Sequence, residues 1–584
     1  MKIIVCTTPL RPAPTDYPPF GSMAIIQALR GAGYDPIFFD IDGFRPSFAE
    51  VIERFQREAP QVIGVSAVVS TAYAYVKQLC TALRKVLPHT TIVLGGNLAA
   101  SADLLHRFCG VDICVIGEGE RIIVNLIHHL EERKENFDDE GLRQIRGITY
   151  LNPDGEMTFT GYEPTIPAAE LLDPDWTILE EYSKIDNFIT DPLTRRDFAQ
   201  DPRTREIHRA GKKMGTVLFT KGCVARCTFC HRWDKGFRQL PPDKVIERIR
   251  YLMDRYNVGY VQFGDENFGS DRRATQELIR LIEPLDVLWQ VAGVRARTID
   301  LDLLKSMRNA GCVGLYYGFE TGSTEMLKVM EKNLDLSHNY NAARCTHEAN
   351  LFTVYQLVLG MPGESPQTIS DTIEMVKQST EFLPDPPYAY LSTNYIQALP
   401  GTPVYEYARA KGLIGPTLRD EEEYLLQISD INAADDTKFL NFTEYPYLTV
   451  RTWRFRLLYE ATVHWARAGS QIRRSTQSRD PAGDFKKYEK GGYFNRHDLA
   501  LNPYLLCLFY PVRWLPIWIW TLASEFQRSP FSVFLSRVAA LLTWKFRKRT
   551  SFRDYRSLRQ IMKDVAPDAK TESERSMIPL RLGR

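Results

Sequence analysis

The sequence predicts an α/β chain in three parts: a doubly wound parallel sheet, then an incomplete β/α barrel, then a helical region rich in basic and aromatic residues. Three observations carry this. Apolar runs of strand length alternate with helix-period stretches over residues 1–140; a second alternating series begins near residue 212; and beyond residue 430 the alternation gives way to helical periodicity. A chain of 584 residues also exceeds what one hydrophobic core serves.

In the first part the strand candidates are Lys2–Cys6, Pro36–Phe39, Val62–Val65, Thr91–Leu94 and Asp112–Ile116. Helical stretches such as Ala72–Val86 separate them, and ligands of such sheets bind at the carboxyl ends of the strands. Residues 141–211 have weaker periodicity and read as a linker, with Asn152-Pro153-Asp154-Gly155 as a hairpin turn. Over residues 212–430 the strand candidates are Thr216–Thr220, Tyr260–Phe263, Trp289–Ala292, Val313–Tyr317, Thr353–Leu359 and Tyr388–Ile396. Six units predict a partial (β/α)6 barrel, with its chemistry at the carboxyl face. Residues 431–584 form the helical C-terminal domain, which would lie on a membrane surface or cover a substrate.

An apolar share of 44 % and a charged share of 25 % are those of ordinary globular protein, so disorder is not expected. Met1-Lys2-Ile3-Ile4-Val5 runs straight into a strand without a secretory signal, so a reducing, cytoplasmic compartment is expected. The net charge of +1 conceals an asymmetry: from Arg451 onward there are 26 Lys and Arg against 11 Asp and Glu, with six of the nine tryptophans. That end is expected to meet something anionic, or the boundary between water and lipid.

Of ten cysteines seven are scattered, but Lys221-Gly222-Cys223-Val224-Ala225-Arg226-Cys227-Thr228-Phe229-Cys230-His231 gathers three within eight residues after an apolar strand. In a reducing compartment such a triplet reads as metal-binding rather than as a disulfide framework. Three thiolates on an iron–sulfur cube leave one iron open. A zinc knuckle is the alternative, although His231 is poorly placed to close a tetrahedron.

The spacing C-x3-C-x2-C, with aromatic Phe229 before the last cysteine, resembles the radical S-adenosylmethionine (SAM) superfamily over about residues 212–410. The resemblance implies a [4Fe–4S] cluster on Cys223, Cys227 and Cys230. It also implies that SAM chelates the open iron and is split by one electron to a 5′-deoxyadenosyl radical. Gly264-Asp265-Glu266, in place of the family's Gly-Gly-Glu turn, and Arg295, Glu320 and Ser323 after later strands become SAM contacts by the same resemblance. Gly360-Met361-Pro362-Gly363-Glu364 and Pro400-Gly401-Thr402-Pro403 close the fifth and sixth strands.

The N-terminal part resembles Rossmann-like cobalamin-binding domains, whose pattern is D-x-H-x-x-G, then S-x-L, then Gly-Gly. Here these are Asp16-Tyr17-Pro18-Pro19-Phe20-Gly21, Ser66-Ala67-Val68 and Gly95-Gly96-Asn97. Asp16, Gly21, Ser66, Gly95, Gly96 and Asn97 are therefore the expected cobalamin contacts. Pro18 stands at the histidine's place and has no atom to give cobalt, so no lower ligand is expected from this motif. A corrinoid-free module kept for packing is the alternative. Gly117-Glu118-Gly119-Glu120 also resembles corrinoid-binding radical SAM enzymes and is expected near the domain interface.

Together these resemblances imply C-methylation at an unactivated carbon, with SAM as radical source and methyl donor. Other members of that family oxidise, cyclise or contract rings, the anaerobic magnesium-protoporphyrin monomethyl ester cyclase among them. A low-potential electron donor such as flavodoxin or ferredoxin is implied, and a non-catalytic corrinoid or redox sensor is the alternative from another class.

In Pro503–Leu522 three prolines and Arg513 argue against a simple spanning helix despite its length. Tryptophans and Lys545-Phe546-Arg547-Lys548-Arg549 favour attachment to a membrane surface over a buried helical subdomain. A hydrophobic substrate (lipid, isoprenoid or tetrapyrrole) would suit that place. Nucleic acid is disfavoured because the aromatics cluster with aliphatics instead of alternating with basic residues. His464, His497 and Tyr504 read as structural or surface residues.

Overall fold

The computed structural model describes residues 1–132, 138–231, 236–429, 438–472, 503–544 and 555–565. The first sheet has the order β2-β1-β3-β4-β5-β6-β7. Its parallel strands are β1 (Ile3–Thr7), β2 (Ile37–Phe39), β3 (Val62–Ser66), β4 (Thr91–Gly95) and β5 (Ile113–Val115). Every residue of β1 is buried, as befits a central strand with helices on both faces. The strand order reverses between β1 and β3, and the crevice beyond their carboxyl ends is where such sheets take ligands.

The stretch expected as a linker is not one. It supplies β6 (Ile148–Leu151) and β7 (Met157–Phe159), which extend the first sheet antiparallel through the Asn152–Gly155 hairpin turn. Trp176, Ile178, Leu179 and Phe188 then plug into the main core. Its weak periodicity reflects short turns that bury single side chains, leaving no long face to read.

The second sheet, order β15-β14-β13-β12-β11-β8, is wholly parallel. Its members are β8 (Lys213–Val217), β11 (Val258–Phe263), β12 (Leu288–Val294), β13 (Cys312–Glu320), β14 (Phe352–Leu359) and β15 (Leu391–Tyr395). The two-residue strands β9 (Thr220–Lys221) and β10 (Arg238–Gln239) form an antiparallel ribbon beside it. This is the six-unit open barrel the sequence predicts.

At its carboxyl face Asp271, Asp300, Ser323, Ser365 and Thr402 each accept a backbone amide at the start of the following helix. Part of the regular polar punctuation after the strands is therefore helix capping.

C-terminal to the barrel, helix Tyr447–Ile472 packs on barrel helix Pro366–Thr380. Trp465 Nε1 donates to the Leu383 carbonyl at 2.8 Å, and Phe439 stacks between Tyr395 and Tyr447. The apolar run 503–522 is broken into helix Pro503–Leu508, a 3-10 turn at Tyr510–Val512 and helix Trp514–Arg528. Among the described residues no helix is long and apolar enough to cross a membrane.

Candidate functional site

The cysteine loop leaves β9 and returns through β10. Neighbouring elements hold its backbone in place. Thr228 N and Oγ1 donate to the carbonyls of Met330 (2.9 Å) and Val329 (3.1 Å), and Val404 N donates to Thr228 O at 3.2 Å. From the far end of the chain, Arg559 Nη1 donates to Arg226 O at 2.8 Å and pairs with Glu331. Buried Asp265, just beyond β11, accepts the amides of Phe219 (2.8 Å) and Thr220 (3.0 Å) on one oxygen and so fixes the entry to the loop. Burial pushes its carboxyl up to about 7, against the pull of those two amides.

Cys223 and Cys230 are half-buried, Cys227 is buried, and none of the three is in a disulfide. Burial pushes the Cys227 thiol up to about 11, with Lys332 opposing and Glu320, Cys230 and Cys223 adding to it. Lys332 Nζ lies 2.7 Å from Glu320 Oε1, so a charged pair sits beside the triplet. Glu320 itself leaves β13 with φ +63°.

Among the described residues no group of three or more His, Cys, Asp or Glu side chains converges as it would around one metal ion. A cube takes each thiolate on a different iron, so its ligands need not share one point as zinc ligands must. Three soft thiols outside any disulfide, at the mouth of a parallel sheet, suit a [4Fe–4S] cluster with one iron free.

The expected SAM contacts occupy different situations. Gly264 and exposed Glu266 follow β11; Arg295 follows β12, close enough to weigh on the charge of Lys332. Glu320 faces Lys332. Ser323 caps helix Thr324–Val329, its Oγ accepting Met326 N at 3.5 Å and donating to Glu325 at 2.9 Å. Asp265 backs the cysteine loop, and half-buried Phe229 packs on the core that includes Met361 and Tyr405. Glu364, wholly buried, accepts Gly360 N with one oxygen and leaves the other without a partner; burial pushes it up to about 8.

At the first sheet's carboxyl edge, Gly96 has φ +96°, and a Cβ there would lie 2.3 Å from the Ala67 carbonyl oxygen. A Cβ on Gly95 or Gly21 would meet nothing within 4 Å. Val68 is exposed beside them, and the Ser70 hydroxyl is buried without a partner. An open, glycine-floored ledge with an unmatched hydroxyl fits a broad planar ligand. Ser66 ends β3, Asn97 follows Gly96, and Pro18 is buried. Gly96→Ala should cost roughly 2 kcal/mol of stability and strip most retained corrinoid, read as absorbance after gel filtration.

The two edges face each other. Tyr17 Oη donates to Gly264 O at 2.7 Å, and Asp16 lies 3.8 Å from Arg195, which pairs with Gln262 of β11. Lys221 Nζ is 3.0 Å from both Glu118 and Glu120, and Arg238 is 2.7 Å from Glu118. Burial would raise the Glu118 carboxyl, but Lys221, the Ile166 amide and Arg238 outweigh it and hold it below the usual range. A Cβ on Gly401, beyond β15, would lie 3.2 Å from Ala100 of the first domain and 3.0 Å from His231 of the cysteine loop. Tyr17, Lys332 and Arg559 were not legible as site residues. Each reaches its place through tertiary contact, and no motif spacing marks them.

Of the remaining candidates, His464 Nε2 is 2.8 Å from Glu381, a structural contact. His497, Lys545–Arg549 and the Tyr504 side chain lie outside the described residues.

Residues 217–376 match the model of the radical SAM superfamily, and residues 8–127 that of the B12 binding domain. An anaerobic magnesium-protoporphyrin IX monomethyl ester cyclase of Cereibacter sphaeroides is 29 % identical over 62 % of this chain. The chain spans only 56 % of that relative's length. A protein of Pyrococcus horikoshii named as an uncharacterized methyltransferase is 24 % identical over 71 % of this chain and 84 % of its own. Among solved structures, the radical SAM methyltransferase TsrM of Kitasatospora setae, with cobalamin and a [4Fe-4S] cluster bound, superposes with a TM-score of 0.52. That match has 18 % identity and covers 71 % of this chain and 79 % of that one, a likeness of fold.

Proposed function

Since this chain belongs to the B12-binding radical SAM enzymes, we propose that it methylates an unactivated carbon of an apolar substrate such as a lipid, isoprenoid or tetrapyrrole. The observation that supports this reading best is the opposition of the two carboxyl edges. It lets a group held on the Gly95–Gly96 ledge and one held by the cysteine loop address the same space.

When bound, the cluster with SAM supplies a carbon radical that can take a hydrogen atom from a C–H bond without an acidic proton, and cobalamin supplies a carrier for a methyl group or an electron. The chain's own part is placement. Cys223, Cys227 and Cys230 would hold the cluster, and Asp265 fixes the strand that leads to them. Gly264, Glu266, Arg295 and Glu320 stand where SAM's polar ends would be received, with Ser323 setting the helix behind them. Asp16, Gly21, Ser66, Gly95, Gly96 and Asn97 would receive the corrinoid at the other edge. Tyr17, Glu118 and Lys221 clasp the edges together, which narrows access for water. The electron would come from a low-potential flavodoxin- or ferredoxin-like donor.

A second reading, ring formation or oxidation without methyl transfer, draws on the likeness to the cyclase. Anaerobic turnover with SAM labelled in its methyl group separates the two. Methylation should give S-adenosylhomocysteine alongside 5′-deoxyadenosine, with label in the product. 5′-Deoxyadenosine without S-adenosylhomocysteine would transfer the conclusion to the second reading. A sensor with a merely structural cluster would yield neither.

A further inference from the structure

Helices Trp514–Arg528 and Phe531–Thr543 carry their polarity inside out. In the first, Glu525, Ser524 and Thr521 are buried while Trp514, Ile519 and Phe526 are about 60 % exposed. In the second no side chain is buried, and Phe531 and Leu542 are 63 % and 69 % exposed. The faces are continuous: the Phe526 ring meets Phe531 at 6.3 Å and Phe534 at 5.4 Å, and upstream Leu508 and Phe509 are exposed as well. An ordinary soluble helix hides its aromatics and exposes its carboxylate.

The inversion is fixed by packing. Arg451 and Glu525 form a completely buried ion pair, Arg537 joins Glu525, and Trp520 stacks on Phe455 at 4.9 Å. The charge is one-sided as well. Residues 503–552 hold seven Lys and Arg and a single acidic residue, Glu525, which is the buried one. Exposed Arg528 borders the patch, and Lys545, Arg547, Lys548 and Arg549 follow in sequence.

We propose that these two helices are the seat of attachment to an anionic phospholipid surface, lying in the interface rather than crossing it. An apolar patch on helices too short to span, within a stretch whose single acidic side chain is buried, fits that occupant. A second copy of the chain would bring like charges together across the contact. The inference deepens the apolar-substrate reading, which it would serve by delivering the chain to where such a substrate dissolves.

The test is co-sedimentation of the full-length, cofactor-loaded protein with phosphatidylglycerol-containing vesicles and with pure phosphatidylcholine vesicles. Most of the protein should pellet with the anionic vesicles, less with the neutral ones and less at raised salt. Phe531→Asp and Leu542→Asp should each cut the bound fraction about tenfold while leaving the cluster and corrinoid absorption unchanged. Absence of sedimentation with either vesicle would overturn the proposal. So would a solution dimer that the same substitutions dissolve, since a second copy would then cover the patch. Vesicle binding needs no turnover, so failure of the catalytic reading leaves this result independent.

Discussion

Replacing Cys227 by alanine should reduce cleavage of SAM to the background without protein, while the corrinoid stays bound. Cys227 is the most enclosed of the three thiols, and its loop is held by Thr228, Val404 and Arg559, so no nearby cysteine can take its place. Two thiolates would leave the cluster a ligand short, and the loss should be at least on the order of a hundredfold, beyond what outer-shell changes cause. The corrinoid ledge belongs to the other sheet and does not depend on this thiol. The readouts are 5′-deoxyadenosine after anaerobic reduction with dithionite and the cobalamin absorption spectrum. Cleavage that survives the substitution would refute the ligand assignment.

The second large effect concerns stability. Glu525→Ala should destabilise the chain by about 3–5 kcal/mol, because it strands Arg451 in a site neither side chain can leave. Burial acts to raise the Glu525 carboxyl; Ser529, Arg537 and Arg451 outweigh it and hold it below the usual range. Its contribution is thus present above the ordinary carboxyl pKa and is lost as pH falls through the lowered one. The double change Arg451→Met with Glu525→Leu should recover most of the loss, since an apolar pair leaves no buried charge unmatched. Urea unfolding at neutral pH measures both. A cost under about 1 kcal/mol for the single change would show that the pair is wetter than its burial indicates.

Much of this architecture was legible from the sequence. Parallel strands covered on both faces are short apolar runs, so β1, β3, β4 and the six barrel strands announced themselves, and the edges moved by only a few residues. The cysteine triplet and the paired glycines stood out in the sequence because the pattern that marks them is local. Residues 141–211 were misread because single buried side chains such as Trp176 have no period. The roles of Asp265 and Ser323 blurred for a related reason: a residue that follows a strand can face a ligand, cap a helix or brace a loop, and sequence position is the same for all three. Contacts such as Arg559 with Arg226 join residues hundreds of positions apart, and only the fold brings them together.

The cluster's coordination is tested most directly by Mössbauer spectroscopy of iron-57-reconstituted, oxygen-free protein before and after addition of SAM. About four irons per chain in one cube are expected, with a single iron whose signal changes when SAM arrives. A zinc-filled site, or a cube whose irons are all indifferent to SAM, would contradict it.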